Sequence, residues 1–357
     1  MDSQSSDELS IEAYDYDLPK ELIAQHPTRH RTDARLMWID RARGSIEHYH
    51  VRDLPELIAT GDTLVVNDTK VVAARLIGLR ESTRGRWEGL FLQRNDQGIG
   101  ELLSKTRGTM APGEQVVLRD REGREELRLT VVQKTEQGSV LFQPPDGIPW
   151  EDLLERCGRV PLPPYIRDGL MVDEDQQRYQ TVYARHPGSV AAPTAGLHLT
   201  PELIQQLREK GGSLAAVTLH VGIGTFRPIQ VDRLDQHAMH HEWGTISEAV
   251  ARKLQMTRDA GGRVIAVGTT STRVLESSMI ANQGQWAGWS GQTDLFIRPG
   301  FRFQAIDGLL TNFHLPKSSL LVLVSALAGR ELILRAYREA IEEKYRFFSY
   351  GDCMVIV

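Results

Sequence analysis

The sequence predicts an α/β main domain with an inserted, barrel-like all-β domain, and three observations point to this fold class. From about Leu199 onward, helical patterns alternate with short apolar runs typical of buried strands. Between about residues 75 and 156, short runs of β-forming residues are separated by glycine and charged turns. A proline-rich connector at 161–165 follows that stretch. We therefore expect a disordered tail over 1–13, an α/β main domain over 14–74 and 157–357, and an inserted β-barrel-like domain over 75–156.

In the α/β part, helix caps, glycine stops and apolar runs define the elements. Thr200 followed by Pro201, and later Ser247, are residues that favour a helix N-cap, and a glycine pair follows each helical pattern. Apolar runs of four to eight residues between the helices are typical of buried strands. The pattern predicts helices over 201–210, 247–259, 319–328 and 331–345, a helix from about Thr272, and strands over 214–221, 263–267 and 354–357.

In the inserted part, the short β runs lie at the spacing of a small barrel or sandwich. Glycine and charged residues between them are typical of tight turns. The predicted strands cover 87–92, 115–118, 126–132 and 139–142.

Composition excludes several classes of protein. The chain has 357 residues, of which 41% are hydrophobic and 25% charged, as expected for a globular protein of about two domains. No apolar run approaches the roughly 18 residues of a membrane helix, and the polar, acidic start is unlike a signal peptide. Two cysteines without Cys-x-x-Cys spacing predict neither a disulfide framework nor a zinc site. A cytoplasmic location is expected.

Net charge argues against a strongly basic nucleic-acid binder. The formal net charge is −5, whereas phosphate contacts need clustered Lys and Arg. If the protein binds RNA, its positive charge must be concentrated on one face. Composition alone does not suggest RNA.

The most informative segment is the Pro/Gly/Ala loop at 187–199. Few bulky side chains let the backbone approach a ligand closely, and Thr194, Gly196 and His198 lie near its end. The loop leads directly into the helix that Thr200 caps. A ligand-binding loop and a tight structural turn both fit this segment.

A second candidate is the hydroxyl-rich run after the strand at 263–267. Gly268, Thr269 and Thr270, followed by a helix, form the arrangement that points backbone N–H groups at an anion. The alternative is ordinary N-capping by Ser271 or Thr272. The next residue, Arg273, lies three before Glu276 and could pair with it on the surface.

Histidines form further candidates. His240 and Glu242, with His237 and His241, lack familiar metal-ligand spacing, so we interpret His240 and Glu242 as acid–base or orienting groups. An exposed cluster without a role is the alternative. His198, His220 and His314 each lie beside Gly or Pro at loops or strand ends, where α/β proteins bind ligands, although a lone histidine is often structural.

Polar and basic residues complete the set. Residues 67–70, Asn-Asp-Thr-Lys, follow the apolar run 64–66 and place a carboxylate and an ammonium near a strand, although a plain turn also fits. The segment 178–185 interleaves two arginines with two tyrosines. It could hold phosphates and stack unpaired bases, or be a surface segment whose tyrosines cap the core.

Taken together, these motifs resemble one family along about 14–357, more weakly over 79–148. The motifs are residues 67–76, 187–199, 218–228, 237–242, 267–276, 310–319 and 345–352. In this order they resemble S-adenosylmethionine:tRNA ribosyltransferase-isomerase, an enzyme family of queuosine biosynthesis.

The resemblance implies a reaction and its partners. The ribosyl part of S-adenosylmethionine is transferred to 7-aminomethyl-7-deazaguanine at the tRNA wobble position and isomerised, giving epoxyqueuosine-tRNA with release of adenine and methionine. S-adenosylmethionine is consumed as a cosubstrate, and no other cofactor or metal is expected. The RNA partner is the anticodon loop that carries the modified base. We expect a monomer without an obligatory protein partner.

The resemblance and the motifs together give three sets of candidate residues. Catalytic candidates are Asp68, His198, His220, His240, Glu242 and His314. Substrate-binding candidates are Asn67, Thr194, Gly196, Thr225, Thr269, Thr270, Arg273 and Asn312. Candidates for tRNA binding are Lys70, Arg75, Arg178, Arg185 and Lys317.

Two other classes of function are considered. A non-catalytic RNA-binding module would use the β domain as its platform, but the polar motifs gather in the α/β part. A methyltransferase would need a Gly-x-Gly-x-Gly-like loop between a first strand and a helix. The nearest candidate, at 222–225, is followed by Phe-Arg-Pro instead of a helix.

Overall fold

The structure is a computed structural model that describes residues 8–222 and 229–357. The chain divides into two compact units. The first comprises Met1–Lys70, Pro164–Asp168 and Arg178–Val357, and the second comprises Val71–Pro163 and Gly169–Gln177.

Strands and helices alternate in the first unit, and strands dominate the second. The strands are β1 (Arg35–Asp40), β2 (Ser45–His50), β3 (Thr63–Asn67), β4 (Thr69–Val71), β5 (Arg75–Arg80), β6 (Arg86–Arg94), β7 (Gly100–Thr106), β8 (Gln115–Arg119), β9 (Glu125–Lys134), β10 (Val140–Gln143), β11 (His186–Ser189), β12 (Ser213–His220), β13 (Glu242–Ile246), β14 (Val264–Val267), β15 (Trp289–Thr293), β16 (Gly308–Asn312) and β17 (Cys353–Ile356). The α-helices are Leu54–Leu57, Trp150–Cys157, Asp175–Arg178, Pro201–Glu209, Glu248–Asp259, Thr269–Ala281, Ser319–Ala328 and Arg330–Glu342.

The first unit is built on a nine-stranded mixed sheet in the order β15-β13-β12-β3-β14-β16-β17-β1-β2. Its centre is a run of four parallel strands, β12, β3, β14 and β16. β17 lies between β16, to which it is antiparallel, and β1, to which it is parallel. The C-terminal residues are therefore an internal strand of the sheet.

Apolar layers cover both faces of this sheet. In β3, Leu64 and Val66 belong to one buried cluster and Val65 to the other, because successive side chains of a strand point to opposite faces. The helices Leu54–Leu57 and Pro201–Glu209 pack on the first face. The other face is covered by the helices Glu248–Asp259, Thr269–Ala281, Ser319–Ala328 and Arg330–Glu342. A sheet buried on both faces explains the continuous apolar runs in the sequence.

The second unit contains a closed antiparallel barrel in the order β10-β7-β6-β5-β8-β9. Its interior is filled by a separate apolar cluster that includes Leu76, Trp87, Leu129 and Phe142. The Trp87 and Phe142 rings meet edge to face, with centroids 5.5 Å apart. The main α/β sheet and the barrel confirm the predicted fold class.

Several boundaries differ from the sequence-based ones. The barrel contains two strands that the sequence did not reveal, β5 and β7. Gly169–Gln177 belongs to the second unit, where the Arg75 guanidinium donates a hydrogen bond to the Gly169 carbonyl. Ordered structure begins before residue 14, because Ile11 is buried and lies in a 3-10 turn, Ile11–Tyr14.

Candidate active site

The candidate site lies at the edge where the four central parallel strands end. Asp68 follows β3, His220 ends β12, Gly268 follows β14 and Asn312 ends β16. Since the carboxyl ends of parallel strands share one edge of a sheet, the fold gathers motifs that are up to about 250 residues apart in sequence. Ligands of α/β proteins bind at this edge.

A cavity of about 230 Å³ opens at this edge, within the first unit. It is lined by Tyr165, Ala191, Ala192, Pro193, Thr194, Ala195, Val221, Gly268, Thr269, Thr270, Thr311, Asn312, Phe313, His314, Leu315, Pro316, Lys317, Ser318, Ser319, Leu320, Phe348 and Ser349. The structure thus brings together six candidates from the sequence: Thr194, Thr269, Thr270, Asn312, His314 and Lys317. An apolar wall with a few polar groups is typical of a small-molecule site.

Asn312 holds two segments around this cavity. Its Oδ1 accepts a hydrogen bond from Thr194 Oγ1 at 2.9 Å, and its Nδ2 donates to His198 Nε2 at 3.1 Å. The same Nδ2 lies 3.2 Å from the Phe348 carbonyl and 3.4 Å from the Asp352 carbonyl. Asn312 therefore positions the 187–199 loop and the C-terminal segment, and its amide is occupied by these contacts.

The helix after β14 begins at Thr269, three residues earlier than predicted. Gly268 has φ of 90°, a conformation that glycine adopts easily, and it turns the chain directly from strand to helix. Ser271 and Thr272 donate their hydroxyl hydrogens to the carbonyls four residues earlier, so they are not caps. The Thr270 hydroxyl lines the cavity and is buried without a hydrogen-bond partner among the described residues. A buried orphan hydroxyl suggests that a ligand completes its hydrogen bonding.

Two buried histidines are neutral at physiological pH. Burial lowers the pKa of His314 to about 3 and that of His198 to about 4. His314 Nε2 lies 2.9 Å from Thr311 Oγ1, and its backbone N–H donates to Tyr337 Oη at 2.9 Å. His314 lines the main cavity, whereas His198 lines a smaller cleft beside Arg31 and Tyr350.

Asp68 and His220 form a second polar cluster at the same strand ends. Asp68 is buried, and its Oδ1 accepts a hydrogen bond from Thr218 Oγ1 at 2.7 Å. His220 Nδ1 lies 2.8 Å from Thr69 Oγ1. Burial and the nearby His186 lower the pKa of His220. This cluster therefore offers a fixed carboxylate and a neutral imidazole.

Glu242 and Arg273 form a buried ion pair, with side chains only 5% and 6% exposed. Glu242 Oε1 also accepts the Gly222 N–H at 3.1 Å, and Arg273 Nε donates to the Leu295 carbonyl at 3.1 Å. The alternative surface pair of Arg273 with Glu276 is wrong, because both residues are buried. Glu276 instead accepts backbone N–H groups of residues 304–306.

Other predicted site residues lie outside these clusters. Asn67 is fully buried, and its amide bonds the Leu219 backbone N–H and carbonyl at 3.0 Å each. Gly196 packs so tightly that a Cβ there would lie 1.9 Å from Tyr183 Oη. His240 is exposed. Thr225 lies outside the described residues.

Among the predicted RNA-contacting residues, Lys70 and Arg185 are exposed. The other three make contacts within their own units. Arg75 Nη2 pairs with Glu88 at 2.9 Å in the second unit.

Arg178 and Lys317 belong to the first unit. Arg178 Nη1 donates to the Arg29 carbonyl at 3.1 Å. Lys317 Nζ lies 2.7 Å from Glu12 Oε2 and 3.1 Å from Asp15 Oδ2. Lys70 and Arg185 are therefore the two of this set with the most open side chains.

Sequence reasoning missed residues whose role depends on cross-strand contacts. Thr218 lies inside an apolar strand but supports Asp68, and Trp243 stacks on His220. Tyr165 and Ser349 line the cavity and are joined at 2.8 Å between their hydroxyl oxygens. The sequence did contain one signal for Trp243, since it is an aromatic residue that directly follows the candidate acid Glu242.

The described part of the chain, 8–222 and 229–357, contains neither a metal-ligating cluster nor a membrane-spanning helix. No group of three or more His, Cys, Asp or Glu side chains there could hold a metal ion. No helix there combines the length and apolar character needed to cross a membrane.

Comparison with known proteins places the chain in a family. The family model described as "Queuosine biosynthesis protein" matches residues 11–356. The chain is 51% identical over 350 residues to an S-adenosylmethionine:tRNA ribosyltransferase-isomerase of Symbiobacterium thermophilum, covering 98% of this chain and 100% of the relative. It is 46% identical over 350 residues, with the same coverage, to the enzyme so named from Staphylococcus saprophyticus.

A solved structure agrees with these relatives. The crystal structure of an S-adenosylmethionine tRNA ribosyltransferase from Thermotoga maritima is 34% identical, with a TM-score of 0.55, and the match covers 97% of this chain and 100% of that one. The chain therefore belongs to the S-adenosylmethionine:tRNA ribosyltransferase-isomerase family of queuosine biosynthesis and is a transferase.

Proposed function

We propose that this enzyme transfers and isomerises the ribosyl moiety of S-adenosylmethionine onto 7-aminomethyl-7-deazaguanine at the tRNA wobble position. The product is epoxyqueuosine-tRNA, and adenine and methionine are released. The observation that carries the proposal is the cavity at the strand ends, which gathers six predicted site residues in a chain of this family. S-adenosylmethionine is the consumed cosubstrate, and the anticodon loop is the RNA partner.

The cavity supports binding of the small cosubstrate. Phe313, Leu315 and Phe348 supply an apolar wall, and the start of the helix Thr269–Ala281 points backbone N–H groups toward this edge. A carboxylate such as that of methionine is stabilised at a helix N-terminus. The orphan Thr270 hydroxyl would complete its hydrogen bonding there.

The Asp68 and His220 cluster supports the acid–base steps. The sulfonium of S-adenosylmethionine acidifies the adjacent C5′ hydrogens, and the acceptor ammonium must lose a proton before it can attack. Asp68 is a fixed carboxylate that can take a proton or offset the sulfonium charge. His220, with its lowered pKa, is a neutral imidazole that can accept a proton.

Glu242 is better suited to positioning than to proton transfer. Arg273 neutralises its carboxylate, and Glu242 in turn holds the Gly222 N–H beside the end of β12. One oxygen of this carboxylate is engaged by Arg273 and the other by the Gly222 N–H, so both already serve contacts within the protein. We infer that Glu242 keeps the strand end that carries His220 in place.

The decisive experiment is product analysis. The purified protein is incubated with S-adenosylmethionine and tRNA that carries the aminomethyl-deazaguanine, with tRNA that carries guanine as the matched control. Adenine and methionine released together, only with the modified tRNA, are expected. S-adenosylhomocysteine would indicate a methyltransferase, and tRNA binding without turnover would indicate a binding module.

A variant tests the role of the carboxylate. Asp68→Asn keeps an acceptor for Thr218 Oγ1 but removes the charge, so kcat should fall about 100-fold or more. Asp294→Asn, at an exposed aspartate, is the control and should retain activity. An Asp68→Asn enzyme with normal kcat would remove Asp68 from the mechanism.

A further inference from the structure

Trp243 is an exposed tryptophan beside the Asp68 and His220 cluster. Its side chain is 44% exposed, although aromatic rings of this size are largely buried in most proteins. It lies in β13, directly opposite His220 of β12 in the antiparallel register. Directly opposite residues of neighbouring strands share one face of a sheet, so Trp243 and His220 point to the same side.

One face of the indole is already occupied. The Trp243 and His220 rings are nearly parallel, at 16°, with centroids 5.9 Å apart. His220 is itself fixed by Thr69 Oγ1 at 2.8 Å and by Gly188, where a Cβ would lie 3.0 Å from the imidazole. The indole therefore rests on a rigid support, and its exposed area is available for another planar ring.

Polar groups flank this stacked pair along the sheet. Thr218, which donates to Asp68, lies two residues before His220 and hence on the same face of β12. On the other side, the exposed Gln292 is the register partner of Trp243 in β15. An amide offers both a donor and an acceptor, which suits the hydrogen-bonding edge of a nucleobase.

We propose that Trp243, supported by His220, is a stacking platform for a planar purine-like base of the substrate. Every base has a π-face, so stacking on an exposed aromatic ring needs no particular base. Two substrates of the proposed reaction supply such a ring: the adenine of S-adenosylmethionine and the modified base of the anticodon loop. The choice of these two substrates as sources of the ring rests on the proposed function.

The test combines kinetics with fluorescence. Trp243→Leu removes the ring, Trp243→Phe keeps a smaller ring, and Trp286→Phe is the matched control at another partly exposed tryptophan. KM is measured separately for S-adenosylmethionine and for an anticodon stem-loop that carries the aminomethyl-deazaguanine. Tryptophan emission is titrated with each substrate alone, and melting curves show whether each variant folds.

Loss of base stacking should raise KM about 5- to 150-fold for one substrate in Trp243→Leu, and much less in Trp243→Phe. Emission should be quenched by that substrate in the wild type and in Trp286→Phe, but not in Trp243→Phe. An increased KM for the stem-loop assigns the RNA base, and one for S-adenosylmethionine assigns adenine. Unchanged KM for both substrates in a folded Trp243→Leu enzyme overturns the platform.

Failure of the platform and failure of the proposed function are distinguishable. If Trp243→Leu does not fold, the fluorescence titrations decide. Equal quenching of tryptophan emission by substrate in Trp243→Phe and in Trp286→Phe then overturns the platform. Wild-type protein that releases no adenine and methionine overturns the proposed function. In that case, the dissociation constants of the stem-loop and of S-adenosylmethionine still test the platform in the same variants.

Discussion

The buried ion pair between Glu242 and Arg273 makes a sharp prediction about stability. Arg273→Met keeps most of the side-chain volume but removes the guanidinium. Glu242 would keep its hydrogen bond from the Gly222 N–H but lose its ion pair with Arg273. The carbonyl of Leu295 would lose a hydrogen-bond donor.

Breaking a buried ion pair by removing one partner costs about 3–5 kcal/mol, because it leaves an uncompensated buried charge. We expect Arg273→Met to lower the free energy of unfolding by about this amount. Glu242→Gln should cost less, about 2–3 kcal/mol, because Arg273 keeps its hydrogen bond to the Leu295 carbonyl. The double variant removes both charges of the pair, so it should lose at least about 2 kcal/mol less than the sum of the two single changes.

Urea unfolding followed by circular dichroism measures all three values. The matched control is Arg252→Met, which breaks an exposed pair with Glu248 and should cost less than about 0.5 kcal/mol. A loss below about 1 kcal/mol for Arg273→Met, or strict additivity in the double variant, would refute the reasoning. The same double variant should retain more activity than Arg273→Met if Glu242 is a positioning residue.

Three further predictions concern stability. Native His198 and His314 have pKa values of about 4 and 3, so below about pH 6.5 the unfolded chain binds more protons than the native one. The free energy of unfolding should therefore fall by about 2 kcal/mol per histidine between pH 7 and 5, and replacement of either by Gln should reduce that fall in urea titrations. Gly196→Ala should cost about 1–3 kcal/mol through the clash with Tyr183 Oη, and Tyr183→Phe should restore most of it; no rescue would contradict the clash. Deletion of residues 354–357 removes most of β17 and should abolish the folded state and turnover, whereas a truncated protein with a normal melting curve would contradict its internal position.

Local rules explain what could be predicted along the chain. Thr200 Oγ1 accepts the Leu203 N–H at 3.2 Å, and Ser247 Oγ accepts the Val250 N–H at 3.3 Å, as the sequence predicts. An N-cap depends on residues within one helical turn, so the sequence contains the required information. The helix Ser319–Ala328 has the predicted bounds for the same reason.

Pairing between distant strands explains what could not be predicted. The apolar run at 354–357 was predicted as a strand, but nothing local shows that it lies between β16 and β1. β1 is more than 300 residues away in sequence. Likewise, the contact between Glu242 and Arg273 joins two motifs that the sequence could only interpret separately.

The sequence by itself therefore determined the fold class, the helix caps, the apolar strands and the motifs that show the family, because these depend on neighbouring residues and on pattern. The tertiary structure alone decided which polar residues share a site. Parallel strand ends bring Thr194, Thr270, Asn312 and His314 to one cavity, while Asn67 and Arg273 are buried in internal contacts. Side chains of similar chemistry differ in this way because burial and partners are set by the packing of the whole sheet, which no local pattern specifies.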